Sequence, residues 1–450
     1  MHKDARGHAV TLTDPKALEH YERALRAFHT YRGDPIAPLD EALALDAGFA
    51  AAWATKALIL CTFFERRFMR DALATLAQGR AALERATPRE KALTAAARFL
   101  AAGEWHYGVR ALEAVLVEYP RDIVALQVAH LMDFYRGDAL NLRNRVSRVL
   151  PAWTPAVPGY AYVLGMHAFG YEESNQYPDA ERAGRHAVEL SGDDSWAVHA
   201  VAHVMEMQGR IGEGLAWYEQ TRPVWAGEDN GFAFHNAWHE ALYHMDRDEQ
   251  ARALEIYDQR FAGPLELALM RVDASALLWR LKLEDVDVAG RFSRLADVWQ
   301  GTLEDEAGFY AFNDFHMALA FAAAGRREAL AQLQEAMRRA ARDPLPNGEM
   351  TRQVSMDLVE GAIAYCEGRF EAAAEKVAQV RDGANRFGGS HAQRDLLSLT
   401  LIDAASRAGL SELARHYAHE RLVHKPDSAW GRRLVERAGA RKARRAAWAA

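Results

Sequence analysis

In the stretch Trp196-Ala-Val-His199-Ala-Val-Ala-His203-Val-Met-Glu206, the residues able to do chemistry recur at offsets of three and four. A helix would set Trp196, His199, His203 and Glu206 on one face. A second run, His235-Asn-Ala-Trp238-His239, repeats the four-residue histidine spacing beside another indole. Two imidazoles one helical turn apart can chelate Zn²⁺, or Fe and Mn where carboxylates join them. Glu206 and Asp273 are the carboxylates that a helical bundle could bring to such a site. The expected metal set is therefore His199, His203, Glu206, His235 and His239, with Zn, Fe or Mn as the ion. The same four histidines would serve as acid–base groups if no metal is held. No His-Glu-x-x-His string occurs, because His239-Glu240 lacks the second histidine.

Two further groups extend the candidate catalytic set. Asp273 lies in a run with Leu267, Leu269, Ala274, Leu277 and Leu278, and Asp314 and His316 lie among Phe309, Tyr310, Phe312 and Phe315. A carboxylate in apolar surroundings needs a partner. A histidine oriented by that carboxylate can act as a general base near neutral pH. Ser390 followed by Gln393 forms a capping box at a helix start. With His391 and Arg394 beside it, that helix start would suit an anionic group. Trp196, Trp238, Ser390, His391, Gln393 and Arg394 form the expected substrate-binding set. Each group also has a plainer reading: solvated groove residues, an Asp–His brace between helices, an ordinary cap.

The elements that must position these residues are helical hairpins. Alanine, leucine, glutamate and arginine dominate and β-branched residues are sparse, which favours helix almost throughout. The clearest repeat runs from Arg89 to Asp122, with small residues at Ala96, Gly103 and Gly108, apolar Leu112 and Val115, and a closing Pro120. Small residues let paired helices approach, and proline stops the second one. Gly137 follows Gly103 by 34 residues, the tetratricopeptide period. Turn positions return at Gly209, Arg247-Asp248, Gly325, Gly368 and Gly409, with breaks at Leu150–Pro158 and Asp343–Gly348. In this register Trp196, His199, His203 and Glu206 fall on the concave wall of a tetratricopeptide superhelix. The expected fold is an all-α, right-handed superhelix (solenoid) of about eight to ten tetratricopeptide-like hairpins, closed enough to enclose one polar pocket. Its expected divisions are an arm at 1–14, a single superhelical domain at 15–435 and a basic tail at 436–450.

Specific strings also carry a family resemblance. They are the Trp196–Arg210 stretch, Phe234-His235-Asn-Ala-Trp238-His239-Glu-Ala-Leu242, Asp273-Ala-Ser-Ala-Leu-Leu-Trp279-Arg280, Asn313-Asp314-Phe-His316 and Gly388-Gly-Ser390-His391-Ala-Gln393-Arg394-Asp395. From about residue 15 to 430, the chain resembles the tetratricopeptide repeat protein 38 family. The resemblance implies a tetratricopeptide-like helical fold and little about activity. Antibiotic-biosynthesis settings of some bacterial relatives imply small-molecule chemistry. Where that family shows a Trp-Trp-His-like string, this chain has Ala237-Trp238-His239.

Composition narrows the classes. The net charge of −7 over 450 residues predicts no nucleic-acid affinity. No run of about eighteen apolar residues occurs, so no membrane span is expected. The N-terminal segment lacks the apolar core of a signal peptide. The two cysteines, Cys61 and Cys366, exclude a disulfide framework and point to a cytoplasmic protein. Phosphate loops, dinucleotide loops and nucleophile elbows are absent from the sequence. The leading expectation is a small polar or anionic molecule bound in a His/Asp/Arg-lined concave pocket, with metal-assisted or His–Asp acid–base chemistry. The alternative is a non-catalytic adaptor that binds a peptide or protein partner in its groove. Whether the protein is an enzyme, and whether it self-associates, stay open at this stage.

Overall fold

The low content of β-branched residues has its expected result: a computed structural model, which describes residues 2–438, is helical almost throughout. Among the described residues the only sheet is a two-stranded one, β1 (His2–Lys3) against β2 (Ala9–Val10). The basic Arg441–Arg445 cluster and most of the expected tail lie outside the described residues. The contact pattern divides the chain into two compact units: Met1–Val201 with Thr221–Ala233, and Ala202–Gln220 with Phe234–Ala450.

The first unit begins with β1, β2 and α1 (Lys16–Thr30). Its hairpins are formed by helices adjacent in sequence. α2 (Pro88–Ala101) packs on α3 (Trp105–Glu118). A capping box of Thr87 and Glu90 starts α2, and α3 ends just before Pro120. Gly108 is small for a steric reason: a Cβ there would stand 2.3 Å from Leu100 Cδ2. α4 (Ile123–Tyr135) is buried on nearly every side. It is followed by the packed pair α5 (Tyr160–Glu172) and α6 (Tyr177–Ser191). The proline-rich break at 150–158 is a short 3₁₀ turn and loop between helices. The boundary between units falls within α7 (Ser195–Gln208), after Val201.

The second unit is organised around helices that are buried on nearly all sides, the position of a central element. α8 (Ala233–Asp246) carries the second histidine pair. α9 (Ala268–Leu283) is buried at almost every position and packs against α10 (Ala311–Ala323). α10 packs on α11 (Met356–Cys366), which pairs with α12 (Phe370–Arg381). α13 (His391–Ala408) packs against α9, and α14 (Ser411–His424) against α13.

The turn register read from the sequence is present in the backbone. Gly103, Gly137, Gly209, Gly325, Gly368 and Gly409 all have φ between +66° and +82°. At Arg247-Asp248, which has no glycine, Asp248 takes the left-handed conformation at φ 67°. Gly209 has a second constraint. A Cβ there would stand 2.7 Å from the backbone of Asp427 and Ser428. The close passage of residues 425–428 over the end of α7 requires a glycine at that point.

Candidate functional site

Burial and tautomer define the candidate centre in the second unit. His203 on α7 and His235 and His239 on α8 are 0–4% exposed. One ring nitrogen from each lies within 4.8 Å of the others. The His203 and His239 rings are 4.3 Å apart between centroids, and His235 meets His239 edge-on at 4.9 Å. His235 Nδ1 lies 2.7 Å from Asp273 Oδ2, and His239 Nδ1 lies 2.8 Å from Glu206 Oε2. A carboxylate against Nδ1 places the proton on that nitrogen and the lone pair on Nε2. Burial holds His239 well below the ordinary imidazole pKa, and His203, His235, Lys425 and Arg280 push it the same way. Its ring is neutral at physiological pH.

The carboxylates are themselves held in place. Glu206 Oε1 accepts a hydrogen bond from Lys425 Nζ at 2.9 Å, and both residues are 4% exposed. Lys425 also lies 3.4 Å from Asp395 Oδ2, and Arg421 grips both oxygens of Asp395, donating from Nε to Oδ1 at 2.9 Å and from Nη2 to Oδ2 at 2.8 Å. Burial by itself would raise the pKa of Asp395. Arg421 and Lys425 pull it far below the ordinary carboxylate range. Asp273 is fully buried, and burial raises its pKa against the favourable charge of His235.

The start of α13 reaches this centre through α9. The Ser390–Gln393 capping box is formed, with Ser390 Oγ accepting from Gln393 N at 3.2 Å and Gln393 Oε1 from Ser390 N at 3.0 Å. The Gln393 side chain lies beside Asp273 and favours its ionised form. Arg280 on α9 donates to the Ala392 carbonyl at 2.7 Å and lies 5.1 Å over the Trp238 ring. Trp238 in turn stacks on His235, 5.5 Å between centroids and 10° from parallel. Burial lowers the Arg280 pKa to about 10.

Other expected residues have contacts of their own. Trp196 and His199 precede the boundary in α7 and are buried in the first unit, where both rings pack against Phe232. Asp314 Oδ1 accepts from Gly308 N at 2.9 Å, a contact that closes a turn. His316 Nδ1 donates to the Phe312 carbonyl at 2.8 Å, and burial lowers its pKa to about 3. Arg394 donates to the Gly389 carbonyl and lies 3.3 Å from His391 Nδ1. Lys425 and Arg421 escaped the sequence reading. Their four-residue spacing was the only signal, and surface helices show it as often.

No protein-family model matches the chain. The structure is similar to the crystal structure of the APC/C hetero-tetramer Cut9–Hcn1. That match has a TM-score of 0.44 and 10% identity, and covers 94% of this chain and 76% of that one. A likeness at this level says nothing of activity. The hairpins and their turn spacing make the chain a tetratricopeptide-like helical-repeat protein. No helix among the described residues is long and apolar enough to cross a membrane.

Proposed function

We propose that this helical-repeat scaffold holds a divalent transition-metal ion on His203, His235 and His239, in the service of a small polar or anionic ligand. One observation carries the reading: three buried imidazoles converge, and two of them have a carboxylate on Nδ1. That pairing is how metal-ligating histidines are commonly oriented. Nitrogen donors of this kind suit Zn²⁺, Fe²⁺ or Mn²⁺. Glu206 and Asp273 then act as orienting carboxylates outside the ligand set. A bound ion of this class would supply Lewis-acid chemistry. The resemblance to the tetratricopeptide repeat protein 38 family supports the repeat scaffold and leaves the reaction open.

Elemental analysis of protein purified without chelator tests the proposal. We expect about one metal ion per chain, lost in His203→Ala and His235→Ala variants that keep the parent circular dichroism. Metal-free protein that takes up no Zn²⁺, Fe²⁺ or Mn²⁺ on dialysis would overturn it.

A second reading is a non-catalytic adaptor for a peptide or protein partner. It is favoured by the succession of helical hairpins, an architecture that needs no reactive centre. Under that reading the buried histidines brace α7 against α8, and their loss lowers stability without any change in metal content.

A further inference from the structure

His203, His235 and His239 are 0–4% exposed, so a hydrated ion reaches them only when some part of the second unit opens. The C-terminal segment, residues 425–438, is placed to be that part. It follows α14 and lies across the C-terminal ends of the three helices that carry the centre. These are α7 with His203 and Glu206, α8 with His235 and His239, and α9 with Asp273.

Each crossing has its own contacts. At α7, Lys425 Nζ donates to Glu206 Oε1 at 2.9 Å, and residues 427–428 pass over Gly209. At α8, Asp246 accepts from Ser428 Oγ, from Ala429 N at 2.8 Å and from Trp430 N at 3.3 Å. Arg433 donates to the Met245 and Asp246 carbonyls at 3.0 Å each. At α9, Glu284 accepts from Trp430 Nε1 at 2.9 Å and from Arg437. Lys425, Arg433 and Arg437 thus set a cation at each helix C-terminus, where the helix dipole favours positive charge. Ser428 caps the segment's own helix, residues 429–438, by accepting from Gly431 N at 2.9 Å. That helix buries a single face. Trp430, Leu434 and Ala438 are 0–5% exposed, whereas Arg432 and Glu436 are exposed. By contrast, α9 is buried at almost every position, so its release would unfold the unit. The segment is held by one apolar stripe and by hydrogen bonds that water can replace, which makes its release the smaller opening. The same release takes Lys425 from Glu206, the carboxylate on His239 Nδ1.

We infer that residues 425–438 are a strap that governs entry and exit at the histidine centre; that a metal ion is what passes rests on the reading above. The test uses the full chain and a double variant, Arg433→Gln with Arg437→Gln, which loosens the strap at α8 and α9 and keeps Lys425 and Glu206. Access is read first without metal, as the rate at which diethylpyrocarbonate modifies His203, His235 and His239, with the exposed His186 as internal standard. Metal exchange is then read by stopped flow, as uptake of Zn²⁺ and its release to excess chelator. Loss of these charge-assisted hydrogen bonds should raise modification, uptake and release at least about tenfold. Uptake and release should rise together, because a gate changes how often the empty and the loaded centre open alike. In the parent, low urea should raise hydrogen exchange of the 429–438 amides and modification of the three histidines in parallel. Unchanged histidine modification in the variant, or release that speeds up while uptake does not, would overturn the strap. So would histidine modification that does not follow amide exchange in the parent, a comparison that stands even if the variant does not fold. A parent that takes up no Zn²⁺ would instead overturn the metal reading, and the modification rates would still decide on the strap.

Discussion

The Glu206–Lys425 contact makes a sharp energetic prediction. Glu206 accepts from His239 Nδ1 through one oxygen and from Lys425 Nζ through the other. Glu206→Gln keeps the shape but has only one acceptor oxygen, so an amide N–H must face either His239 or Lys425. Two unit charges 2.9 Å apart attract by about 6 kcal/mol at an effective dielectric of about 20. Desolvation of two buried ions offsets most of that. The pair as a whole therefore contributes little, whereas removing one member leaves a buried charge uncompensated. Lys425→Met and Glu206→Gln should each cost about 3–5 kcal/mol. The double variant should cost well below their sum, with a coupling of about 2 kcal/mol or more. Native-state hydrogen exchange of the α7, α8 and α14 amides is the assay, because it reads local stability in a chain with two units. If the two single costs add within about 0.5 kcal/mol, Lys425 and Glu206 do not form the buried pair described here.

Asp194 predicts a pH effect of definite sign. Its carboxyl is raised from 3.8 to about 7, so between those values the folded state binds more protons than the unfolded chain. Stability falls as pH rises through that window, by about 4 kcal/mol in all. Asp194→Asn should match the parent near pH 4 and be more stable at pH 8 by an amount of that order in urea titrations; no gain at pH 8 refutes the assignment. Gly209 and Gly325 form a controlled comparison, since both have left-handed φ but a Cβ at Gly325 meets nothing within 4 Å. Gly325→Ala should cost about 1 kcal/mol and Gly209→Ala at least about 1 kcal/mol more. Equal shifts in Tm for the two variants would mean that residues 427–428 do not press on that turn.

Much of this arrangement was legible in the sequence, for identifiable reasons. The stripes on α7 and α8 could be read because an α-helix fixes which residues share a face. The turn glycines could be read because left-handed backbone selects for glycine. A histidine partner for Asp273 could be expected on the ground that a buried carboxylate needs one, and the structure supplies His235. The same argument applied to Asp314 found a different partner, the Gly308 amide, because a backbone N–H serves a carboxylate as well as an imidazole does. Lys425 was illegible: its contact with Glu206 spans 219 residues, and no local periodicity encodes so long a link. The two units were also hidden, since the boundary falls inside the unbroken apolar periodicity of α7. The capping contact of Asp194 with the Ala197 amide and the lack of a hydrogen-bond partner for its second oxygen are properties of packing.

The span between Glu206 and Lys425 also governs when the centre can exist during synthesis. A chain made at about 5–20 residues per second takes roughly 10–40 s to extend across the 219 residues between them. For that interval α7 and α8 can already be helical, with Glu206 facing His239 but lacking its ammonium partner. The nascent second unit therefore passes through a stage at which its most polar buried region is charged and hydrated. Ribosome-stalled chains ending before and after residue 425 would differ in protease resistance at α7 and α8, and the final closure of the centre would be a late event of biogenesis.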